Sequence, residues 1–214
     1  MRVSEPAIRP PQQRRSRESF DRVLDAGGVV LREQGFDGFT LQEVSRRAAV
    51  SIGSIYARAP SKEALILAIY DREMERIGER QQQIEADSHR DGLTGRELVE
   101  TLVRDMAELM LSERAILRVF MLRAASDDVI WRRGAERSHI LADVFETALL
   151  EHRDELAHPH PELAIDVAYR FVYCTLARRI THGDDFESPR ALSDEQLIAE
   201  LAAAAADYLL ATRT

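Results

Sequence analysis

The stretch from Thr40 to Leu65, T-L-Q-E-V-S-R-R-A-A-V-S-I-G-S-I-Y-A-R-A-P-S-K-E-A-L, constrains the fold more than any other part of the chain. Thr40 followed by Glu43 has the spacing of a capping box, so a helix starts at Leu41. Leu41, Val44 and Ala48 make one apolar stripe on it. Ala49-Val50 is a tight turn, and Ser51 caps a second helix over roughly 52–58. That second helix is too short and too polar to exist for packing alone. Pro60-Ser61 then opens a long helix, with Ser61 as N-cap and Glu63 in its first turn, running to about Ala86. Two short capped helices across a turn form a helix-turn-helix, which lays its second helix in the DNA major groove.

The remainder reads as helix throughout. Phe20, Val23, Leu24, Gly27, Val30 and Leu31 mark one face of a helix that Gly35 ends. Phe36 and Phe39 flank the following loop and plug a small core. Asp87 to Gly95 (D-S-H-R-D-G-L-T-G) is the clearest break in the chain. Beyond it the spacing predicts helices over 95–111, 113–125, 128–156, 161–182 and 194–212, capped by Ser112, Asp127 and a Ser193/Gln196 capping box. The fold class is therefore all-α, about nine helices. The expected domains are a disordered Pro-rich arm over 1–13, a helix-turn-helix head over 14–66 and a helical body over 67–214.

The net charge of −8 argues against nucleic acid when taken as a whole, but it divides unevenly. Residues 1–60 carry ten arginines and seven acids, a balance of +3, which leaves −11 for the rest. A basic segment on an acidic body can dock one face on phosphate. Cys174 is the single cysteine, which fits a reducing cytosol. The N-terminal residues have no apolar core of a secretory signal, and no window of about 18 uncharged apolar residues spans a membrane. No G-x-S-x-G, H-E-x-x-H or phosphate loop is present, so no enzyme class is indicated. His158 and His160 flank Pro159 without further ligands at usable spacing; no metal site and no cofactor are expected.

Over about Phe20 to Leu65 the chain resembles the TetR (tetracycline-repressor) family of transcriptional regulators. The resemblance rests on E-Q-G-F, T-L-Q-E-V, A-A-V-S-I-G-S-I-Y and P-S-K-E-A-L taken together. It implies a homodimer with two DNA-binding heads, a body that binds a small effector, and a dimer interface on the last two long helices. The chain departs from the family where His and Phe usually precede P-S-K-E. Here Arg58 and Ala59 stand instead, so the head's anchoring falls to Phe36 or Phe39, and Arg58 adds a charge near the DNA backbone.

The candidate DNA-binding residues follow from position and chemistry. Thr40 stands at a helix N-terminus, where a hydroxyl and free N–H groups can hold a phosphate. Ser51, Ile52, Gly53 and Ser54 occupy the first turn of the recognition helix. Ile52 can pack on a thymine methyl, and Gly53 lets the backbone come close. Tyr56 can hydrogen-bond a phosphate with its hydroxyl, Arg58 adds its charge near the backbone, and the resemblance implies that Lys62, the only lysine, is aimed at a phosphate. Arg14, Arg15 and Arg17 form a basic run that can reach the backbone or minor groove.

In the body, Met106, Met110, Leu117, Phe120, Met121, Trp131, Phe145, Tyr169 and Tyr173 are the candidate pocket lining, since methionines and aromatics suit adaptable apolar sites. Arg123, His139, Arg170 and Arg178 could add polar contacts. Val167, Phe171, Thr175, Leu176, Leu201, Ala202, Ala205 and Leu209 are the candidate dimer seam. The expected function is a repressor that binds a palindromic double-stranded operator as a homodimer and is released by an apolar or amphipathic effector. The alternatives are a helical enzyme or a protein-interaction module.

Overall fold

A computed structural model describes residues 10–87, 90 and 92–211. Among them are nine α-helices and one 3-10 turn: α1 (Pro10–Gly38), α2 (Leu41–Ala48), α3 (Ile52–Tyr56), α4 (Lys62–Asp87), α5 (Gly95–Ser112), α6 (Arg114–Ala124), α7 (Asp128–Leu150), the turn Arg153–Glu155, α8 (Pro161–His182) and α9 (Asp194–Leu210). The chain divides into two compact units, Met1–Glu75 and Arg76–Thr214. The division falls inside α4, past the expected boundary at 66, because α4 stays buried in the head core through Ile69, Tyr70 and Glu73.

The head core is built from Val23, Leu24, Val30, Leu31, Phe39, Val44, Ala48, Ile55, Ala59, Leu65 and Ile69, all buried. Phe39 is fully buried and Phe36 half-buried, so Phe39 is the aromatic plug that the small Ala59 cannot be. Helix α1 begins at Pro10, so 10–13 are helical rather than part of a disordered arm. Two prolines suit a helix start, where their missing N–H groups have no intrahelical partner to lose. Residues 1–9 of the expected arm lie outside the described residues. Gly35 has φ 65° and ends the regular part of α1.

Gly27 and Gly28 bring α1 close to α4. A Cβ at Gly28 would overlap the carboxylate of Glu73, and one at Gly27 would overlap the tip of Ile69. Glu73 is only 4% exposed and pairs with Arg32. The glycines therefore make room for a buried charge and its counter-charge.

The body centres on α5, which buries one long apolar face from Leu98 to Leu111. Alpha-9 lies along α5 through Ala202, Ala205, Ala206 and Leu209, all buried, while α8 packs between α7 and α9. The Ser193/Gln196 capping box forms as expected, as does the Asp127 cap. A second capping box, Thr94 with Glu97, starts α5 at the break.

Two local expectations are corrected. Ser112 does not cap α6: its hydroxyl donates to Leu109 O at 2.9 Å, closing α5 instead. The third body helix stops at Leu150 rather than 156. There His152 bonds Glu155, whose carboxylate accepts Gly95 N–H at 2.7 Å, so the chain turns to satisfy the start of α5.

Replacing Gly28 by Ala is expected to destabilise the protein by about 1–3 kcal/mol, because the buried, ion-paired Glu73 cannot step aside. Gly27→Ala meets only the flexible end of Ile69 and should cost less. Urea unfolding of the two variants checks the order; equal midpoints would remove the close-approach argument.

Candidate nucleic-acid interface

The helix-turn-helix is held by short polar contacts rather than by bulk. Thr40 is extended, and its hydroxyl accepts Glu43 N–H at 3.2 Å, capping α2. The reciprocal arm of the box is replaced: the Glu43 carboxylate accepts from Arg46 and Arg47, each at 2.6 Å. Arg47 also pairs with Glu33 at 2.7 Å. The hydrogen bonds from Arg46 and then Arg47 hold the Glu43 carboxyl down at about 2. The bond from Arg47 likewise lowers Glu33. Arg46 and Arg47 are thus spoken for by acids on the head's own surface.

The turn is tight. Ala49 sits in the left-handed region, φ 52° and ψ 43°, a conformation costing an L-residue roughly 1–2 kcal/mol. It is pinned from both sides. Val50 N–H donates to Ser45 O at 3.2 Å, and Ser45 Oγ donates to Val50 O at 2.6 Å. Arg22 Nε donates to Ala48 O at 3.3 Å, satisfying a carbonyl at the end of α2. Ser51 then caps α3, accepting Ser54 N–H at 3.2 Å.

On α3 only Ile55 is buried. Ser51, Gly53, Ser54 and Tyr56 are exposed and Ile52 is half-buried. Tyr56 is 47% exposed, so it is not a core aromatic of the head. A Cβ placed on Gly53 would meet nothing within 4 Å beyond its own helix turn. The head's own packing therefore does not require that glycine, and the open space is free for a partner's close approach.

Arg58 does not stand free. Its Nη2 donates to Ser16 Oγ at 2.6 Å and its guanidinium lies 5.7 Å from the centroid of the Phe20 ring. Lys62 Nζ lies 5.7 Å from the centroid of Phe39. Between α1 and the turn is a groove of about 370 Å³ lined by Ser16, Ser19, Phe20, Arg22, Val23, Ala49, Val50, Ser51, Ser54 and Arg58. Two arginines, four serines and no acid line it. The structure thus brings Ser51, Ser54 and Arg58 together with the turn of α1 that carries Arg17. The side chains of Arg14 and Arg15 lie outside the described residues. Sequence reading missed Ser16, Ser19 and Arg22 as lining. The spacing of Phe20 marks it as core, and no periodic signal marks the serines.

In the body the candidate pocket residues scatter. Met106 and Phe145 line a cavity of about 40 Å³ with Gln81, Ile84, Glu85, Arg90, Leu102, Asp105, Leu109, Leu141 and Val144. Met110, Leu117, Met121, Tyr169 and Tyr173 are packing residues of the main core, and Phe120 is buried. The Tyr169 hydroxyl donates to Ser138 O at 2.7 Å, and burial pushes it up to about 12. Trp131 is 59% exposed and is not among the residues that line this cavity. Arg123, Arg170 and Arg178 pair with Asp127, Asp166 and Glu187, and His139 is exposed. His158 Nδ1 accepts His160 N–H at 3.0 Å.

Arg90 is the polar residue that sequence reading missed. Its Nη2 donates to Asp105 at 2.7 Å, while its buried Nε–H has no partner among the described residues. Arg90 and Val144 also line an adjoining cleft of about 630 Å³. Arg90 lies in the break after α4, where no periodicity marks it.

The candidate seam divides as well. Leu176, Ala202, Ala205 and Leu209 are buried in the body's own core and are not available to a second copy. The alanine stripe is used by α5. Val167 is 37% exposed, and Phe171, Thr175 and Leu201 are half-buried.

The architecture is a capped helix-turn-helix with an exposed second helix, in a chain whose second unit is all-α. Residues 23–69 match the family described as bacterial regulatory proteins, tetR family. The likeness to that family lies in the head, over those residues. It is 28% identical over 130 residues to the HTH-type transcriptional regulator CymR of Pseudomonas putida, covering 61% of this chain and 62% of that protein. It is 31% identical over 117 residues to the HTH-type transcriptional repressor KstR of Mycolicibacterium smegmatis, covering 51% and 54%. The matches thus span little more than half of these relatives. Among solved structures, Salmonella enterica GusR superposes with a TM-score of 0.65 at 19% identity, covering 94% of this chain and 98% of that one. The transcriptional regulator FadR of Bacillus subtilis in complex with stearoyl-CoA superposes with a TM-score of 0.63 at 17% identity, covering 91% and 100%. These likenesses establish the fold. No helix among the described residues is long and apolar enough to cross a membrane.

The Glu43 cluster yields a pH dependence. The folded carboxyl is held below its usual 4.5, so its contribution is complete above about 4.5 and lost as pH falls through about 2. The wild-type head should weaken over that interval more than Glu43→Gln, and less so in high salt, where exposed pairs are screened. Acid unfolding followed by circular dichroism checks it; identical acid profiles would discount the cluster.

Proposed function

We propose that this chain is a ligand-responsive transcription regulator, a repressor that binds a palindromic double-stranded operator as a homodimer. The observation that carries the reading is the exposed face of α3. Ser51, Gly53, Ser54 and Tyr56 are held out by caps and turn bonds while Ile55 alone is buried. A five-residue helix contributes little packing, so a face kept open on it serves recognition. Ser51, Ile52, Gly53 and Ser54 read base edges. Thr40, Tyr56 and Lys62 hold phosphates, Arg14, Arg15 and Arg17 strengthen the positive field, and Arg58 supports the same DNA-binding face. The family match over residues 23–69 and the regulators among the relatives support the reading, and they favour regulation over catalysis or simple protein docking. A protein that acts on the chromosome works in the cytoplasm.

Two copies pair through the outward faces of α8 and α9, using Val167, Phe171, Thr175 and Leu201 together with Leu163, which is 57% exposed. Half-sites one helical turn apart, about 34–36 Å, then fit a twofold pair of heads.

The effector enters at Arg90. An orphan buried N–H costs roughly 1–3 kcal/mol, which a ligand oxygen recovers. Glu85 and Asp105 stand in the same lining, so an uncharged acceptor suits the site better than a carboxylate. Leu102, Met106, Leu109, Leu141 and Phe145 supply apolar contact, and the ligand is an amphipathic molecule with one carbonyl or hydroxyl near Arg90. A ligand of ordinary size needs several hundred Å³, so the cavity widens into the adjoining cleft to take it. Preference for one body shape then lowers operator affinity by the difference in its binding to the two shapes.

Selection of random duplexes by the full chain should return a palindrome with half-sites one turn apart. Tyr56→Phe and Lys62→Ala should each weaken binding of that duplex by about 5–20-fold at about 0.1 M salt with unchanged thermal midpoint. Recovery of no motif, with only salt-sensitive nonspecific binding, would overturn the reading. Sedimentation should give a dimer; a monomer at micromolar concentration would remove the seam.

A further inference from the structure

We propose that Arg58 acts on DNA at one remove, as a positioning residue that locks the opening turns of α1 to the recognition turn and so holds in place the helical backbone that carries Arg14, Arg15 and Arg17. The proposal rests on the DNA-binding reading above.

The geometry is specific. Ser16 and Phe20 are one helical turn apart, so they share a face of α1. A single planar guanidinium serves both, donating to Ser16 Oγ at 2.6 Å and lying over the Phe20 ring. The bond is charge-assisted and joins residues 42 positions apart in sequence. From Ser16 onward, the first buried residue of α1 is Val23. Ahead of it, Ser16, Arg17 and Glu18 are exposed, so apolar burial does little to hold these turns. Two guanidiniums clasp them to the helix-turn-helix: Arg22 at Ala48 O and Arg58 at Ser16.

Ser16 lies between Arg15 and Arg17. Fixing it fixes the backbone from which the arginines project. A frayed helix start would have to order on binding, and that ordering is subtracted from affinity. A clasped one has been ordered in advance. Lysine is a poor replacement for Arg58, because a point ammonium lacks the fork of donors that lets the guanidinium reach Ser16 while its centre stays near the Phe20 ring.

Two measurements on the full chain test this. Hydrogen exchange of the free protein should show amides 16–20 exchanging about tenfold faster in Arg58→Ala, Arg58→Lys and Ser16→Ala than in wild type. Binding of the selected duplex, followed by anisotropy across salt concentrations, should show Arg58→Ala and Arg58→Lys weakened roughly tenfold, and Ser16→Ala weakened although no charge is removed. The salt slope should fall by up to about 0.9 for each phosphate no longer neutralised. In an Arg14→Ala/Arg15→Ala/Arg17→Ala background, adding Arg58→Ala should change affinity less than about twofold. Additive losses, or an Arg58→Lys variant that binds as wild type does, would mean that Arg58 touches phosphate itself and would overturn the proposal. Unchanged exchange would overturn it without touching the DNA-binding reading. A wild-type chain that binds no duplex would sink both.

Discussion

The head depends on a charge that has no business being buried. Glu73 is almost wholly shielded on α4, and it is tolerable only because Arg32 of α1 reaches it and because Gly28 leaves room for the carboxylate. Breaking a buried pair by removing one partner leaves an uncompensated charge, a far larger penalty than the pair's net worth. The interaction therefore specifies more than it stabilises: it fixes where along α1 helix α4 must cross. Val30, Leu31, Phe39 and Leu65 complete the core around that crossing. The small helices α2 and α3 inherit their position from it through Val44, Ala48 and Ile55.

Once that frame is set, the recognition element needs little apolar area of its own. Caps at Thr40, Ser51 and Ser61 replace packing, and Ala49 accepts a left-handed backbone to make the corner. The strain and the exposed polar face occur together. A turn that was only a connection would relax with glycine at 49 and an apolar face on α3. Here the corner is held by Ser45, Val50 and Arg22, so the angle between α2 and α3 is what these bonds preserve.

The sequence carried the head almost completely, because its signals are local. Thr40 with Glu43, Ser51 with Ser54, and Pro60-Ser61 each act within four residues, so periodicity and capping could place α2, α3 and α4. What was not legible was side-chain direction over long separations. Glu43 has the spacing of the second half of a capping box but turns to Arg46 and Arg47, because two guanidiniums compete better for a carboxylate than one backbone N–H. Arg58 reads as a free charge and proves tied to a residue 42 positions earlier. In the body the same limit is harsher. Aromatic and methionine residues at helical spacing mark burial but not cavities, so Met106 and Phe145 reach one while Tyr169 closes on Ser138. Arg90 lies in a break, where no pattern could reveal its buried N–H.

The alanines of α9 show why a single chain misleads about interfaces. A run of small residues permits close helix approach, and sequence alone cannot say whose helix approaches. Alpha-5 takes that place: α9 packs on it, and Ala202, Ala205 and Ala206 are buried in the same core as Leu98, Leu102 and Met106 of α5. Leu176 and Leu209 are consumed in the same core. The proposed pairing of two copies would then use what remains outside. On α8, Leu163 and Val167 are one turn apart and exposed, with Phe171 one turn further and half-buried. A seam built this way has a large-residue surface rather than an alanine one. Its helices would cross at side-chain rather than backbone distance, and the small residues would serve it indirectly, by keeping α9 close enough to α5 for α8 to present a firm face.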